Sequence, residues 1–458
     1  MLIDNLIIGA YLCGILALGL WSGRGIRCLE QYSVAGRSFR ARVIFATLSA
    51  SFIGGGFSIG NAEKVFLWGI VNIFALWGFS LKEILIAAFI APRMGRFPRV
   101  ISVGDIMEQD YGKIGKVVTG FFSVLLCAGI VGAQVGGVGY IFHVFLDIPQ
   151  TWGILIGCGI VIAYTVVGGM RAIIFTDIVQ FVALGVAIPV TLWLGVQAVG
   201  GWSALQTAMP AGHFEVPGPA MSTLAFLSLF MTFVLGETLV PPYMQRLYIG
   251  KTAQHTARGS LVSGLFSIPF FAITGAIGLV ALAMNPELDA NLALPYVIRE
   301  VLPVGVKGLV IAGIISIVMS SADSFLNAAA IAFTNDIVKP LRSDVLSVRD
   351  ELRLARWVTF GTGLLAVVFA VRIKSVLDIL IYAYNFWAPI ILVPLIGVLL
   401  GVRGTVWCFL GGALAGGVGT IAWNQTLAAA TGIDGLIVGV FCNLVVFTLI
   451  STYSKAKE

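Results

Sequence analysis

The sequence predicts an all-α polytopic membrane protein with thirteen transmembrane helices, and three observations carry that expectation. Hydrophobic residues make up 59% of the 458 and charged residues only 11%, where a soluble domain carries about 25% charged residues. Mean hydropathy is +0.99, and a span of the hydrocarbon core takes about 20 apolar residues, so the chain supplies on the order of a dozen spans with short connections. Third, Lys and Arg concentrate in alternate connections, as cytoplasmic loops require. Low charge without basic or acidic runs excludes an attached nucleic-acid-binding or disordered domain, so the net charge of +6 speaks to topology. The six cysteines lie singly, with no C-x-x-C pair, and suggest neither a disulfide framework nor a zinc or iron–sulfur site.

Taken in order, apolar windows between polar breaks place helices near 5–23, 43–65, 66–92, 115–145, 150–168, 174–199 and 222–247. They continue near 260–284, 307–332, 355–372, 376–401, 405–424 and 433–450. The first segment lacks the basic flank and cleavage site of a signal peptide and is expected to stay as a helix. Basic residues cluster on one side at 24–42, 93–116, Arg171, Arg246 to Arg258, 339–356, Arg403 and 455–457, whereas 200–221 holds none. The expectation is an amino terminus outside and a carboxyl terminus inside, in the plasma (inner) membrane.

Two of these helices carry interruptions. In the second, Gly54, Gly55 and Gly56 each cost about 0.8–1 kcal/mol relative to Ala in a helix, which favours an unwound stretch baring the carbonyls of Ala50 and Ile53; close helix packing is the alternative. In the seventh, Pro241 and Pro242 remove backbone donors and free upstream carbonyls. Matching interruptions in two halves point to a midplane site between inverted repeats. Helices two to six and seven to eleven are five each, so the halves run with opposite topology. The organisation expected is a leading helix and cytoplasmic loop (1–42), repeats at 43–199 and 222–401, and two closing helices (402–458).

Charged and hydroxyl groups inside spans are functional suspects. In the ninth helix, Ile317, Ser320, Ser321 and Ser324 share a face. Ser320 and Ser321, with the carbonyls of Ala50, Ile53 and Ile317, make a five-oxygen cage suited to a hard cation such as sodium. Back-bonding of the serines to the preceding turn is the competing reading. Asp177 opens the sixth helix, either as a cation ligand or as an N-terminal cap with Thr176.

With these residues in view, the chain resembles the sodium:solute symporter family. The resemblance rests on the glycine-interrupted second helix, SVGDIMEQDYG at 102–112, VVGGMRAIIFTDIVQ at 166–180, QRL at 245–247 and IVMSSADSFLN at 317–327. It implies a LeuT-like core of ten helices, thirteen spans in all, and solute uptake driven by sodium. Carried over by position, the principal sodium site falls on Ala50, Ile53, Ile317, Ser320 and Ser321. A second, found in some members, falls on Asp177, Ser320 and Ser324, with Asp323 where another hydroxyl can stand.

FIGGGFSIGNAEKVF at 52–66 and SSADS at 320–324 resemble the choline branch, but its quaternary-ammonium pocket depends on aromatics. Phe52, Ile130 and Val240 stand where its tryptophans are expected, which disfavours choline. The solute pocket implied lies between the two breaks, lined by Gly54, Gly55, Phe57, Ser58, Trp77, Gln134, Glu237, Tyr243, Tyr384, Asn385 and Trp387. Ordinary helix packing is the alternative for each aromatic. Lys82 and Glu83, one residue apart on different faces of the third helix, fit no motif; a structural pair is expected for them, and a solute carboxylate is the other partner open to Lys82.

The function expected is a sodium-coupled symporter importing a small organic solute, such as a zwitterion, with sodium, the solute and the lipid bilayer as partners and no nucleic acid or obligate protein. A proton-coupled carrier on the same scaffold and a solute sensor are the alternatives. No metalloprotease motif or nucleophile elbow suggests an enzyme.

Overall fold

A computed structural model describes residues 2–53, 55–372 and 385–455. Among them there is no strand; the only pairing of extended backbone is an isolated bridge between Phe39 and Gly250. The principal helices are α1 (Leu2–Ser22), α2 (Ala41–Phe52), α3 (Gly55–Trp68), α4 (Val71–Leu85), α5 (Val103–Leu146), α6 (Gln150–Ala198) and α7 (Thr223–Leu235). They are followed by α8 (Pro241–Tyr248), α9 (Ala253–Met284), α10 (Val306–Ile331), α11 (Val348–Arg372), α12 (Ala388–Leu400), α13 (Val406–Thr426) and α14 (Gly435–Lys455).

Hydroxyls cap several starts: Ser102, Ser222, Thr252 and Thr405 accept from the backbone N–H three residues on, closing donors that hydrocarbon cannot satisfy. One cap is tertiary, since Asp4 of α1 accepts from Gly305 N at 2.8 Å and Gly308 N at 2.9 Å, at the entry to α10.

By length and apolarity, eight described helices are able to cross a membrane, or nine with α2 and α3 taken as one span bent by 48°. That count, by length and composition over the described residues, is lower than the expected thirteen for identifiable reasons. Two expected spans run together in α6, whose dihedrals leave the helical region only at Gly169 (φ 45°, ψ −143°). The seventh expected span is divided into α7 and α8. The eleventh, 376–401, falls partly on residues outside those described, leaving the short α12. In α5 a similar break at Gly112 (φ 61°, ψ −161°) separates the 103–111 turn from the span behind it.

The most enclosed element is α10, buried at nearly every position from Gly308 to Ile331. It packs against α1, α5, α6 and α11. A helix apolar on every side belongs at the centre of a bundle, and α10 also carries the serines and Asp323. On the other flank α9 packs against α2, α3 and α4.

Candidate functional site

The two breaks have different local causes. At the first break α2 ends at Phe52, and Gly55 and Gly56 already belong to α3 rather than to an unwound stretch; Ile53 N still donates to Ser49 O at 3.0 Å, and Ser58 Oγ donates to Ile53 O at 2.5 Å. Between α7 and α8, Leu239 adopts φ 56°, a conformation costing about 1–3 kcal/mol for a residue with a side chain. In a helix Thr238 O would accept from residue 242, but Pro242 has no N–H. The fully buried indole of Trp387 takes that place, with Nε1 3.0 Å from Thr238 O. A side chain of α12's leading edge thus completes the broken helix.

The α10 serines face these breaks unequally. Ser321 Oγ lies 3.5 Å from Ser51 O and 3.4 Å from Ile317 O, joining the α2 terminus to α10. Ser320 Oγ instead donates to Asp177 Oδ1 at 2.5 Å. Ala50, Ile53 and Ile317 are buried. The structure therefore brings Ser321, Ile317 and the α2 end together, while the Ser320 hydroxyl turns toward α6.

Asp177 is not a helix cap. Its helix restarts at Gly169, two turns earlier, so its carboxylate lies within the span. It accepts from Thr47 Oγ1, Ser320 Oγ and, at 3.0 Å, Arg246 Nη2. Arg246, counted by sequence among the basic residues of a cytoplasmic connection, is fully buried in α8. Its guanidinium also donates to Thr47 O, Pro242 O (3.1 Å) and Ser324 Oγ (2.7 Å). Arg246 thus stands between Asp177 and Ser324. Asp323 accepts from Tyr164 at 2.5 Å and from Ser324 at 3.0 Å. Arg246, Thr47 and Tyr164 were missed because each looks ordinary in its own segment. The available signal was charge balance: two aspartates inside spans demand a cation, and none had been placed there.

The expected pocket residues divide. Phe57 joins a ring cluster with Phe79 (5.0 Å), Phe271 (5.8 Å) and Phe233 (6.2 Å), and Phe52 packs on Phe79 and Phe271. Tyr243 Oη donates to Glu237 Oε2 at 3.1 Å across the second break. Trp77 donates to Ile268 O of α9 at 3.1 Å and packs on Phe74. Gln134 and Asn385 are half-buried. Gly55 starts α3, whereas Gly54 and Tyr384 lie outside the described residues. Ile130 and Val240 are buried. Lys82 and Glu83 pair with each other, Nζ to Oε1 3.0 Å, although they are sequence neighbours. The Lys82 ammonium lies over the faces of Phe79 and Tyr243, 3.5 Å and 4.7 Å from the ring centroids.

An all-helical bundle with two broken helices crossing at buried oxygens and a charge network is the architecture of a secondary transporter. The chain belongs to the sodium:solute symporter family, whose sequence profile matches residues 32–419. It is 28% identical to high-affinity choline transporter 1 of Drosophila melanogaster, over 61% of this chain and 44% of that protein. To the sodium/glucose cotransporter of Vibrio parahaemolyticus it is 24% identical, over 68% of this chain and 64% of that one. The chain spans about half the length of the curated relatives it matches. Its fold is that of a sodium-coupled sialic acid symporter solved in a substrate-bound, outward-open state (TM-score 0.85, 18% identity, 98% of this chain and 97% of that one). It is also similar to Mhp1, a nucleobase-cation-symport-1 family transporter (TM-score 0.64, 15% identity, 95% and 96% covered).

Proposed function

We propose that this protein is a sodium-coupled symporter that imports a small organic solute across the plasma membrane by alternating access between two inverted repeats, 43–199 and 222–401. The observation that carries the reading is the Ser321 hydroxyl, held between the end of α2 and the Ile317 carbonyl of α10. Sodium bound among Ala50 O, Ile53 O, Ile317 O, Ser320 Oγ and Ser321 Oγ joins these two helices. It stabilises the arrangement in which the solute pocket between the breaks is formed, so ion and solute strengthen each other reciprocally. A membrane potential of 100 mV contributes about 2.3 kcal/mol per charge moved, which concentrates a neutral solute roughly fiftyfold per sodium.

A single sodium is transported in this reading. Arg246 supplies, between Asp177 and Ser324, the positive charge a second ion would bring. The solute is a small zwitterion or a related compound fitting a pocket of glycines and phenyl rings.

The test is a thermal-unfolding titration of the purified protein with sodium chloride against potassium chloride. Sodium alone raises the melting temperature, because a ligand of the folded state stabilises it. Ser321→Ala raises the half-saturating sodium concentration about tenfold, the loss of one oxygen ligand to a charged group. Equal curves in the two salts, or unchanged half-saturation in the variant, count against the cage.

Proton coupling is favoured by one observation, two buried aspartates of which only Asp177 is paired with Arg246, Asp323 being held by Tyr164 and Ser324. Solute uptake that persists at fixed pH when potassium replaces sodium would select it.

A further inference from the structure

Lys82 is the feature that the ion site does not use. It lies midway along the span Val71–Arg96, is fully buried, and its Nζ has no hydrogen-bond acceptor in usable geometry among the described residues. Its ionic partner is Glu83, the next residue on the same helix. A buried ion pair stabilises a fold when it ties two elements together with well-made hydrogen bonds; otherwise desolvation exceeds the Coulombic gain, and apolar residues of similar volume serve better. A pair between neighbours ties nothing.

The ammonium also sits where a ligand would meet it. Tyr243 belongs to the first turn of α8, immediately after the second break, and Phe79 packs on Phe52 and Phe57 at either side of the first. The faces of Phe79 and Tyr243 hold a cation without supplying oxygen acceptors, and an ammonium has three donors. Glu83 accounts for one direction, and its Cβ lies against Gly264 of α9.

We propose that Lys82 receives the carboxylate of the transported solute, so that the solute is a small carboxylate, either a simple organic acid or an amino acid. This rests on the symport reading for coupling but not for binding. A carboxylate at Nζ makes charge-assisted hydrogen bonds, and the remainder of the solute lies against Phe57 and Phe271. The same ammonium excludes organic cations, since it occupies the ring faces that would attract them.

The experiment is thermal unfolding of the purified full chain in sodium or potassium chloride with propionate or pyruvate, each beside its neutral amide, with L-proline, and with choline. At least one acid raises the melting temperature, and neither amide does. Lys82→Met weakens the response about tenfold or more, the loss of a hydrogen bond to a charged group, while Lys82→Arg retains part of it. A response to proline alone identifies an amino acid, and a response to propionate or pyruvate a simple organic acid. Should Lys82→Met give no cooperative transition, the acid and amide pair on the wild-type chain decides. The proposal is overturned by no response to any of the acids, by an amide as effective as its acid, by stabilisation with choline, or by undiminished acid binding in Lys82→Met. An acid response that depends on Lys82 but is equal in potassium keeps the carboxylate and removes sodium coupling. Sodium-dependent binding of acid and amide alike does the reverse.

Discussion

At the scale of single residues, the Arg246–Asp177 pair governs the interior charge. Both side chains are fully enclosed, and the guanidinium reaches α2, α6 and α10 at once. Arg246→Gln leaves the Asp177 carboxylate without its cation, which costs about 3–5 kcal/mol for a buried pair broken on one side. Adding Asp177→Asn removes the orphaned charge. The double variant should therefore melt above the single one; a double variant no more stable than Arg246→Gln would mean that the two do not interact energetically. Asp177 and Asp323 were legible in the sequence because a carboxylate inside an apolar run is conspicuous. Arg246 was not, because Lys251 and Arg258 follow it and the group reads as one cytoplasmic cluster. Only the turn of α8 into the bundle separates them.

At the scale of elements, a break is stable when its freed backbone groups find new partners, and Trp387 does this for α7 and α8. Trp387→Phe removes the donor to Thr238 O and leaves a buried carbonyl unsatisfied, costing about 1–3 kcal/mol. Combining Trp387→Phe with Pro242→Ala returns the backbone N–H that the proline removes, and part of the loss should return if that N–H takes over the carbonyl. A melting-temperature cycle over the four proteins reads this directly; additive losses would show that the indole acts by packing alone. Both interruptions were legible, the first in consecutive glycines and the second in consecutive prolines. The helix containing Asp177 restarts at Gly169, five residues before the expected 174. The local pattern of Gly168 and Gly169 marks a break, but its dihedrals, set by contact of Gly169 with Tyr32, decide which residue restarts the helix.

At the scale of the molecule, α9 reaches its neighbours through small residues. A Cβ built on Gly278 comes within 2.2 Å of Ala62 O in α3, whereas one on Gly361 of α11 meets nothing within 4 Å. Small residues allow such backbone approach where lipid gives no hydrophobic drive between helices. Gly278→Val should lower the melting temperature by the equivalent of about 1–3 kcal/mol or more, and Gly361→Val should leave it nearly unchanged. Equal behaviour of the two would argue that α9 and α3 are not in tight contact. The approach matters for function because α3 is the second half of the first broken helix.

By itself the sequence determined that the chain is a bundle of apolar helices, where two of them break, and which hydroxyls and carboxylates lie inside. Those properties follow from composition and from residues such as Gly54 to Gly56, Pro241 and Pro242, whose effect on the backbone is local. The tertiary structure decided which of those groups meet: Ser321 with the end of α2, Ser320 with Asp177, Arg246 between Asp177 and Ser324, Trp387 with Thr238, and Lys82 with Phe79 and Tyr243. Each of these pairings except that of Lys82 with Phe79 joins different elements, and its geometry depends on how helices rotate and cross. In a bundle apolar on nearly every face, the local pattern does not fix that rotation; mutual satisfaction of the few buried polar groups does.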